Sequence, residues 1–189
     1  MMNYWEERYQ NNEIGWDVGA ITTPLKDYID QITDKSIRIL IPGAGNGYEF
    51  DYLIKKGFFN VYVVDIAASP LKNIAERNPD FEENLIHSDF FEINETFDLV
   101  IEQTFFCAIP PSMRAEYTTK MHQLLNKNGK IVGLLFDFPL SNEGPPFGGS
   151  ADEYLNLFSE KFKIKILNKA YNSIKPRQDK ELFFIFEKK

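Results

Sequence analysis

One stretch near the beginning of the chain, residues 37–65, limits the folds that this sequence can adopt. An apolar run, Ile37–Ile41, leads into Pro42–Gly47, which contains three glycines, and a second apolar run, Val61–Asp65, follows a helix-like segment. An apolar run closed by a glycine cluster is typical of a buried strand that enters a tight turn. The stretch therefore predicts a strand–turn–helix–strand unit, as found at the start of nucleotide-binding α/β sheets.

The glycine turn and the acid that ends the second strand both suit a nucleotide. Glycines let the backbone approach a ligand closely, and the N-terminus of the next helix offers free N–H groups. Asp65 follows the second strand, where ribose hydroxyls need an acceptor. An ordinary strand–turn–helix corner would also contain such glycines, but the position of Asp65 favours binding.

The remainder of the chain continues the alternation of strands and helices. Five more apolar runs read as strands: Leu85–His87, Phe97–Ile101, Ile131–Phe138, Phe162–Leu167 and Leu182–Phe186. The residues before the third of these, Asn126–Gly129, read as a turn. Strict alternation in Phe162–Leu167 is typical of a half-exposed antiparallel hairpin. We expect one α/β domain, residues 1–189, with a doubly wound, mostly parallel seven-stranded sheet and an antiparallel terminal hairpin.

The segment before the first strand, residues 1–33, is rich in aromatic residues, namely Tyr4, Trp5, Tyr9 and Trp16. An exposed aromatic cluster is costly in water, so this segment must cover something. It either packs on the edge of the sheet or forms a helical and aromatic lid over the ligand. The sequence leaves both interpretations open.

Composition excludes several classes of function. The formal net charge of −7, with no basic stripe, argues against a nucleic-acid partner. The single cysteine, Cys107, fits a reducing compartment, and with two histidines it makes a metal site improbable. No signal peptide and no apolar run of membrane-spanning length is present, so we expect a cytoplasmic protein, by default a monomer.

The strand ends describe the expected ligand, because ligands of open α/β sheets bind beyond the carboxyl ends of the strands. These ends are Gly43–Gly47, Asp65–Ile66, Asp89–Phe90, Glu102–Gln103 and the loop after Phe138. They contain no lysine or arginine, which disfavours a ligand with several phosphates. Acids with aromatic residues nearby suit a cationic nucleoside such as a sulfonium cofactor.

Two other classes stay open at this point. A nicotinamide-dependent reductase would share the opening unit, although Gly43-x-Gly45-x-Gly47 differs from the dinucleotide fingerprint G-x-G-x-x-G. A cofactor-binding protein without transferase activity would share the whole site.

Several motifs carry a resemblance to a known family. Ile41–Gly47 with Asp65 resembles the cofactor loop of class I S-adenosylmethionine-dependent methyltransferases. Phe105–Ile109, followed by Arg114, and Gly144–Phe147 resemble the thiopurine S-methyltransferase superfamily, and Phe105–Ile109 is closest to its halide/thiol methyltransferase branch. The similarity runs from about Trp5 to the last strand. It implies S-adenosylmethionine as cofactor and a thiol, sulfide, thiocyanate or halide as acceptor, with a thiopurine or another small molecule as the alternative.

The resemblance also implies which residues bind the cofactor. They are Trp5, Tyr9, Trp16, Gly43, Ala44, Gly45, Gly47, Asp65, Ile66, Asp89, Phe90 and Gln103. In the family, N-terminal aromatic residues close over the cofactor, and Tyr9 replaces a usual tryptophan. Gly43 would approach the methionine moiety, Asp65 the ribose and Asp89–Phe90 the adenine. Gln103 departs from both branches, since thiopurine enzymes have Arg there and plant halide enzymes tend to have Tyr.

Methyl transfer to a soft nucleophile demands alignment and a dry pocket more than a strong base. We expect an apolar wall made of Phe105, Phe106, Ile109, Phe138, Pro146 and Phe147. No catalytic base is identified, and Glu102 and Gln103 are candidates for positioning. Glu102 would orient the substrate or bind the methionine ammonium. Cys107 is expected to be a small buried hydrophobe rather than a nucleophile.

Overall fold

The computed structural model describes residues 2–189, and of Met2 and Asn3 it describes only their place in the first helix. The predicted single domain, residues 1–189, and the predicted lid, residues 1–33, both begin at Met1, which lies outside the described residues. Seven strands form one sheet: β1 Ile39–Pro42, β2 Val61–Asp65, β3 Leu85–His87, β4 Phe97–Gln103, β5 Leu125–Phe136, β6 Phe162–Lys169 and β7 Glu181–Lys188. Their spatial order is β3-β2-β1-β4-β5-β7-β6.

The sheet is parallel from β3 to β5 and antiparallel at its other end. β1 pairs with β2 and β4 in parallel, as β2 does with β3 and β4 with β5. β7 lies antiparallel between β5 and β6. This arrangement confirms the predicted α/β fold and its antiparallel terminal hairpin.

Helices cover both faces of the sheet. The helices are α1 Met2–Gln10, α2 Thr23–Ile29, α3 Tyr48–Lys55, α4 Ala68–Arg77, α5 Arg114–Leu124 and α6 Ala151–Phe158. Apolar residues of α2, α3 and α4 form one buried cluster with the sheet, and those of α5 and α6 form a second. Two such layers make the doubly wound architecture. Within residues 2–189, no helix has the length and apolar character needed to cross a membrane.

The loop between β1 and α3 depends on its glycines. Gly43 has φ of +56°, and a Cβ there would lie 2.2 Å from Cδ2 of Phe105. At Gly47, with φ of +70°, a Cβ would lie 2.5 Å from Cδ1 of Ile74. Because both positions need a left-handed backbone and leave no room for a side chain, only glycine fits. The loop therefore lies in direct contact with the elements on either side of it.

β5 is longer at its start and shorter at its end than the sequence predicts. The turn predicted at Asn126–Gly129 is wrong, because these residues belong to β5. The strand is irregular there, since Asn128 has φ of +63° and the register with β4 shifts between Phe97 and Leu99. At the other end β5 stops at Phe136, and Phe138 forms an isolated antiparallel bridge with Gly149.

Candidate active site

A cavity of about 860 Å³ lies at the carboxyl ends of β1, β2 and β4. Its wall includes the glycine loop, the strand ends, the N-terminal segment and two loops from the second half of the chain. This is the edge at which open α/β sheets bind their ligands. The cavity is therefore the candidate active site.

The N-terminal segment lies over this cavity and is joined to the glycine loop. Trp5, Tyr9 and Trp16 line the cavity, and the Trp16 ring packs edge-on against Trp5 at 5.4 Å and Tyr9 at 5.8 Å between centroids. The next residue, Asp17, accepts hydrogen bonds from the side-chain amide of Asn46 and from the Tyr48 hydroxyl, the latter at 2.9 Å. The segment thus contacts the ligand-binding edge directly. The lid role of residues 1–33 stays a prediction.

The acid at the end of β2 faces both the cavity and the glycine loop. Asp65 is 8% exposed, and its carboxylate accepts hydrogen bonds from the backbone N–H groups of Gly45 at 3.3 Å and Ala67 at 2.9 Å. Burial raises the pKa of the Asp65 carboxyl above its usual value. The neighbouring Ile66 lines the cavity, as does Ala44 in the loop.

The wall next to Asp65 is aromatic. Asp89 and Phe90 line the cavity, and the carboxylate of Asp89 accepts a hydrogen bond from the Phe91 N–H at 2.9 Å. The Phe90 ring packs edge-on against Phe105, 5.1 Å away between centroids. Phe105 in turn contacts Gly43, so one aromatic surface joins the ends of three strands.

Glu102 does not line the cavity and instead binds the backbone of the turn after β4. Its side chain is completely buried, and Oε1 accepts hydrogen bonds from the backbone N–H groups of Phe105 at 2.8 Å and Phe106 at 2.5 Å. Burial raises the pKa of the Glu102 carboxyl to about 7. Glu102 therefore fixes the turn after β4 and does not line the cavity. Its predicted role as an ammonium partner does not fit this geometry.

The other positioning candidate, Gln103, does line the cavity. Its Oε1 accepts a hydrogen bond from the Thr22 hydroxyl at 2.9 Å, so the side chain links β4 to the N-terminal segment. Gly47 does not line the cavity, because its position beside Ile74 serves the turn itself.

Half of the six residues predicted for the apolar wall line the cavity. Phe105, Ile109 and Pro146 do, together with Cys107, Ala108, Pro110, Met113 and Pro145, which the prediction did not include. The wall therefore comes from the segment after β4 and from the proline-rich loop after β5. The burial of Cys107 raises the pKa of its thiol well above the usual range, as expected for a buried hydrophobe.

Three predicted wall residues point elsewhere. Phe106 is 1% exposed and packs in the core against Tyr117 and Tyr154, because consecutive residues of this turn face opposite sides. Phe138 packs against Phe136, 4.9 Å away between ring centroids. Phe147 contributes its backbone N–H, which donates a hydrogen bond to the carbonyl of Cys107 at 2.7 Å and so holds the proline-rich loop in place.

Arg177 is a cavity residue that the strand-end argument missed. It lies in the connection between β6 and β7, is 8% exposed and lines the cavity. Nη2 donates a hydrogen bond to the backbone carbonyl of Trp16 at 2.8 Å, and Nη1 lies 3.6 Å from Oε1 of Glu181. The strand-end rule considers parallel strands, and this connection joins two antiparallel ones.

Glu49 is another cavity residue that the sequence analysis missed. It lies in the first turn of α3, is 5% exposed and lines the cavity. Burial raises the pKa of its carboxyl to about 7. An acid in the first turn of a helix usually interacts with the helix dipole at the surface, so its position in the sequence gave no sign of burial.

The sequence profile of the thiopurine S-methyltransferase (TPMT) family matches residues 1–188. The chain belongs to this family. Thiocyanate methyltransferase 1 of Brassica oleracea is 29% identical over 184 residues, which cover 94% of this chain and 81% of that protein. Thiopurine S-methyltransferase of Acinetobacter baylyi is 25% identical over 191 residues, with 87% and 86% covered.

The fold agrees with solved structures of methyltransferases. The 1,6-didemethyltoxoflavin-N1-methyltransferase of Burkholderia thailandensis, solved with 1,6-didemethyltoxoflavin and S-adenosylhomocysteine, superposes with a TM-score of 0.80 at 18% identity. The match covers 99% of this chain and 86% of that one. As a member of the thiopurine S-methyltransferase family, the chain is a methyltransferase, which confirms the predicted enzyme class and sets the reductase alternative aside.

Proposed function

We propose that this enzyme transfers the methyl group of S-adenosylmethionine to a small soft anion, namely a thiolate, sulfide, thiocyanate or halide. When bound, the cofactor supplies a methyl group attached to a sulfonium, which an in-line nucleophile takes up to leave S-adenosylhomocysteine. The enzyme's own residues then have to hold the cofactor, hold the anion and exclude water.

Three features of the cavity fit the cofactor. Asp65 ends β2 at the cavity wall and offers carboxylate oxygens to ribose hydroxyls. Gly43 leaves no space for a side chain beside Phe105, so the backbone itself forms the floor of the site. The aromatic rings of Trp5, Tyr9 and Trp16 supply faces that attract a cation, and we propose that this segment acts as the lid.

The observation that carries the proposed acceptor is that the guanidinium of Arg177 and several apolar side chains line the same cavity. Ile109, Met113 and Pro146 belong to this wall and provide no base. A soft anion bound there loses water while one fixed cation offsets its charge. Arg177 is held at two points, by the Trp16 carbonyl and by Glu181, so its position is set before the anion arrives.

The proposal needs no base and no nucleophile from the protein. Halides, thiocyanate and thiolates are already ionised, so no proton has to leave during the transfer. Cys107 is poorly suited to act as a nucleophile, because burial raises the pKa of its thiol and its Sγ–H donates to the carbonyl of Thr104 at 3.2 Å.

A cytoplasmic location, a monomeric state and the lack of a nucleic-acid partner belong to this proposal as expectations. The single, buried cysteine supports a reducing compartment. The net charge of −7 supports a small-molecule substrate over a polyanionic one.

The acceptor is tested by supplying adenosylmethionine with thiocyanate, iodide, bromide, sulfide, small thiols and 6-mercaptopurine in separate reactions. S-adenosylhomocysteine is quantified in each reaction, and volatile methylated products are collected from the headspace. We expect turnover with the small soft anions and a much lower kcat/KM with the thiopurine. Turnover with the thiopurine alone would assign the alternative acceptor, and binding of adenosylmethionine without any turnover would contradict the proposed function.

A further inference from the structure

Four carboxylates lie on the described wall of the cavity, those of Asp17, Glu49, Asp65 and Asp89. Three of them receive hydrogen bonds from other residues: Asp17 from Tyr48, Asp65 from Ala67, and Asp89 from Phe91. Glu49 differs, because its carboxylate accepts no hydrogen bond from another residue among those whose side chains the structure describes, 4–189. It is thus the cavity carboxylate with the most unused capacity to accept hydrogen bonds.

Nearby charges do not neutralise Glu49. Asp17 and Asp51 are close enough to oppose its ionisation, and Arg177 is close enough to favour it. The guanidinium of Arg177 is already directed to the Trp16 carbonyl and to Glu181, and it makes no ion pair with Glu49. A buried carboxylate without a paired cation is costly, so the site favours a ligand that brings a positive charge and N–H donors.

Glu49 also lies in a suitable place relative to the other cofactor residues. It follows the glycine loop, in the first turn of α3, whereas Asp65 ends β2 and accepts a hydrogen bond from the Gly45 N–H of that loop. Both carboxylates line the same cavity from different elements, which suits contacts with different parts of one ligand. Glu102, which the sequence suggested for an ammonium group, does not line the cavity, and its Oε1 holds the turn after β4.

We propose that Glu49 accepts hydrogen bonds from the α-ammonium group of the methionine portion of S-adenosylmethionine and S-adenosylhomocysteine. This inference rests on the proposed function, since it assigns a role toward the same cofactor. A charge-assisted contact of this kind is stronger than a neutral hydrogen bond and makes the site prefer ligands that keep the amine.

The inference has a second consequence, for the proton balance of binding. With burial holding the pKa of Glu49 near 7 and with Asp17, Asp51 and Arg177 as its charged neighbours, the group is partly protonated at neutral pH. An incoming ammonium favours the ionised form and lowers that pKa. Binding of S-adenosylhomocysteine near pH 7 should therefore release a measurable fraction of a proton from Glu49.

Calorimetry with two ligands tests the assignment. One ligand is S-adenosylhomocysteine, and the other is its deaminated analogue, which keeps the carboxylate and lacks only the amine. We expect Glu49→Gln to weaken binding of S-adenosylhomocysteine roughly tenfold or more while leaving the analogue within about twofold. The matched control is Glu116→Gln, the same change in the first turn of α5, because Glu116 is exposed and does not line the cavity. It should change neither affinity.

Repeating the titrations in two buffers with different ionisation enthalpies measures proton release. The wild-type enzyme should release protons on binding S-adenosylhomocysteine, and Glu49→Gln should release fewer. Circular dichroism verifies that the variant folds, and Glu49→Met, which also removes the charge, provides a second variant of similar length.

The outcomes of these titrations distinguish a cofactor-binding role of Glu49 from a structural role and from an action through Arg177. Equal weakening of both ligands would make Glu49 a structural residue and overturn the inference, as would no weakening at all. An effect on the binding of thiocyanate alone would also overturn it, because Glu49 would then act through Arg177. Failure of the wild-type enzyme to bind S-adenosylhomocysteine would instead overturn the proposed function.

Discussion

The ring of Phe105 fills the space beside Gly43 that the Cβ of any other residue would need. A Cβ at Gly43 would lie 2.2 Å from Cδ2 of that ring. The two residues follow neighbouring parallel strands, β1 and β4, so the floor of the cavity is a direct contact between two strand ends. Glu102 maintains this contact, because its carboxylate binds the N–H group of Phe105.

The first prediction concerns this contact. Gly43→Ala should destabilise the protein by about 1–3 kcal/mol, because the new methyl group overlaps Phe105 and the backbone keeps a positive φ. Urea denaturation measures the change. The matched control is Gly15→Ala, where a Cβ meets no atom within 4 Å, and it should be nearly neutral. The double variant Gly43→Ala with Phe105→Ala should lose less stability than the sum of the two single variants, and strict additivity would contradict the contact.

The second prediction concerns the proposed ribose contact. Asp65→Asn should weaken the binding of S-adenosylhomocysteine by about 1–3 kcal/mol, because an amide replaces a carboxylate that accepts hydrogen bonds. Isothermal titration calorimetry measures the loss. The same change at the exposed Asp152, in the first turn of α6, serves as the control and should leave the affinity unchanged. An unaltered affinity in the Asp65 variant would refute its assignment.

The third prediction follows from the raised pKa of Glu102, about 7 in the folded protein against 4.5 for a free side chain. Between these pH values the folded state keeps a proton that the unfolded state has lost. The free energy of unfolding should therefore fall as the pH rises through this range, by up to about 1.4 kcal/mol per pH unit from this group.

Glu102→Gln removes this titration and keeps an oxygen for the Phe105 and Phe106 N–H groups. Between pH 4.5 and pH 7, its unfolding free energy should depend less steeply on pH than that of the wild type. Chemical denaturation across this range compares the two slopes. Equal slopes would show that Glu102 is ionised when folded.

The fourth prediction concerns Arg177. Arg177→Met should raise the KM for thiocyanate roughly tenfold or more, because the anion loses its cationic partner. Lys175→Met makes the same change of charge in the same turn, but Lys175 is exposed and does not line the cavity. Its KM should match that of the wild type. Steady-state kinetics compares the variants, and an unchanged KM in the Arg177 variant would contradict the proposed anion site.

The fold was predictable because its determinants are local in sequence. The apolar run before Gly43, the glycines and Asp65 lie within one strand–turn–helix–strand unit, and the alternation in β6 marks an antiparallel strand. The irregular start of β5 was not predictable from the sequence. The polar residues Asn126–Gly129 have the composition of a turn, but their backbone belongs to the sheet.

The site was predictable only in part, because side-chain direction depends on packing. Phe105 and Phe106 are neighbours of the same type, yet one lines the cavity and the other lies in the core. Arg177 reaches the cavity from the connection between β6 and β7. This connection lies more than one hundred residues after the glycine loop in the sequence. Glu49 gave no sign of burial because an acid in the first turn of a helix usually lies at the surface.

The most direct test follows the methyl group itself. Adenosylmethionine carrying a deuterated methyl group is incubated with the enzyme and thiocyanate, and the headspace is analysed by mass spectrometry while S-adenosylhomocysteine is quantified in solution. The proposed function predicts deuteriomethyl thiocyanate and S-adenosylhomocysteine in equal amounts, with the same equality for iodide or sulfide if these are the better acceptors. Absence of any labelled product with every soft anion, from an enzyme shown to bind adenosylmethionine, would contradict it.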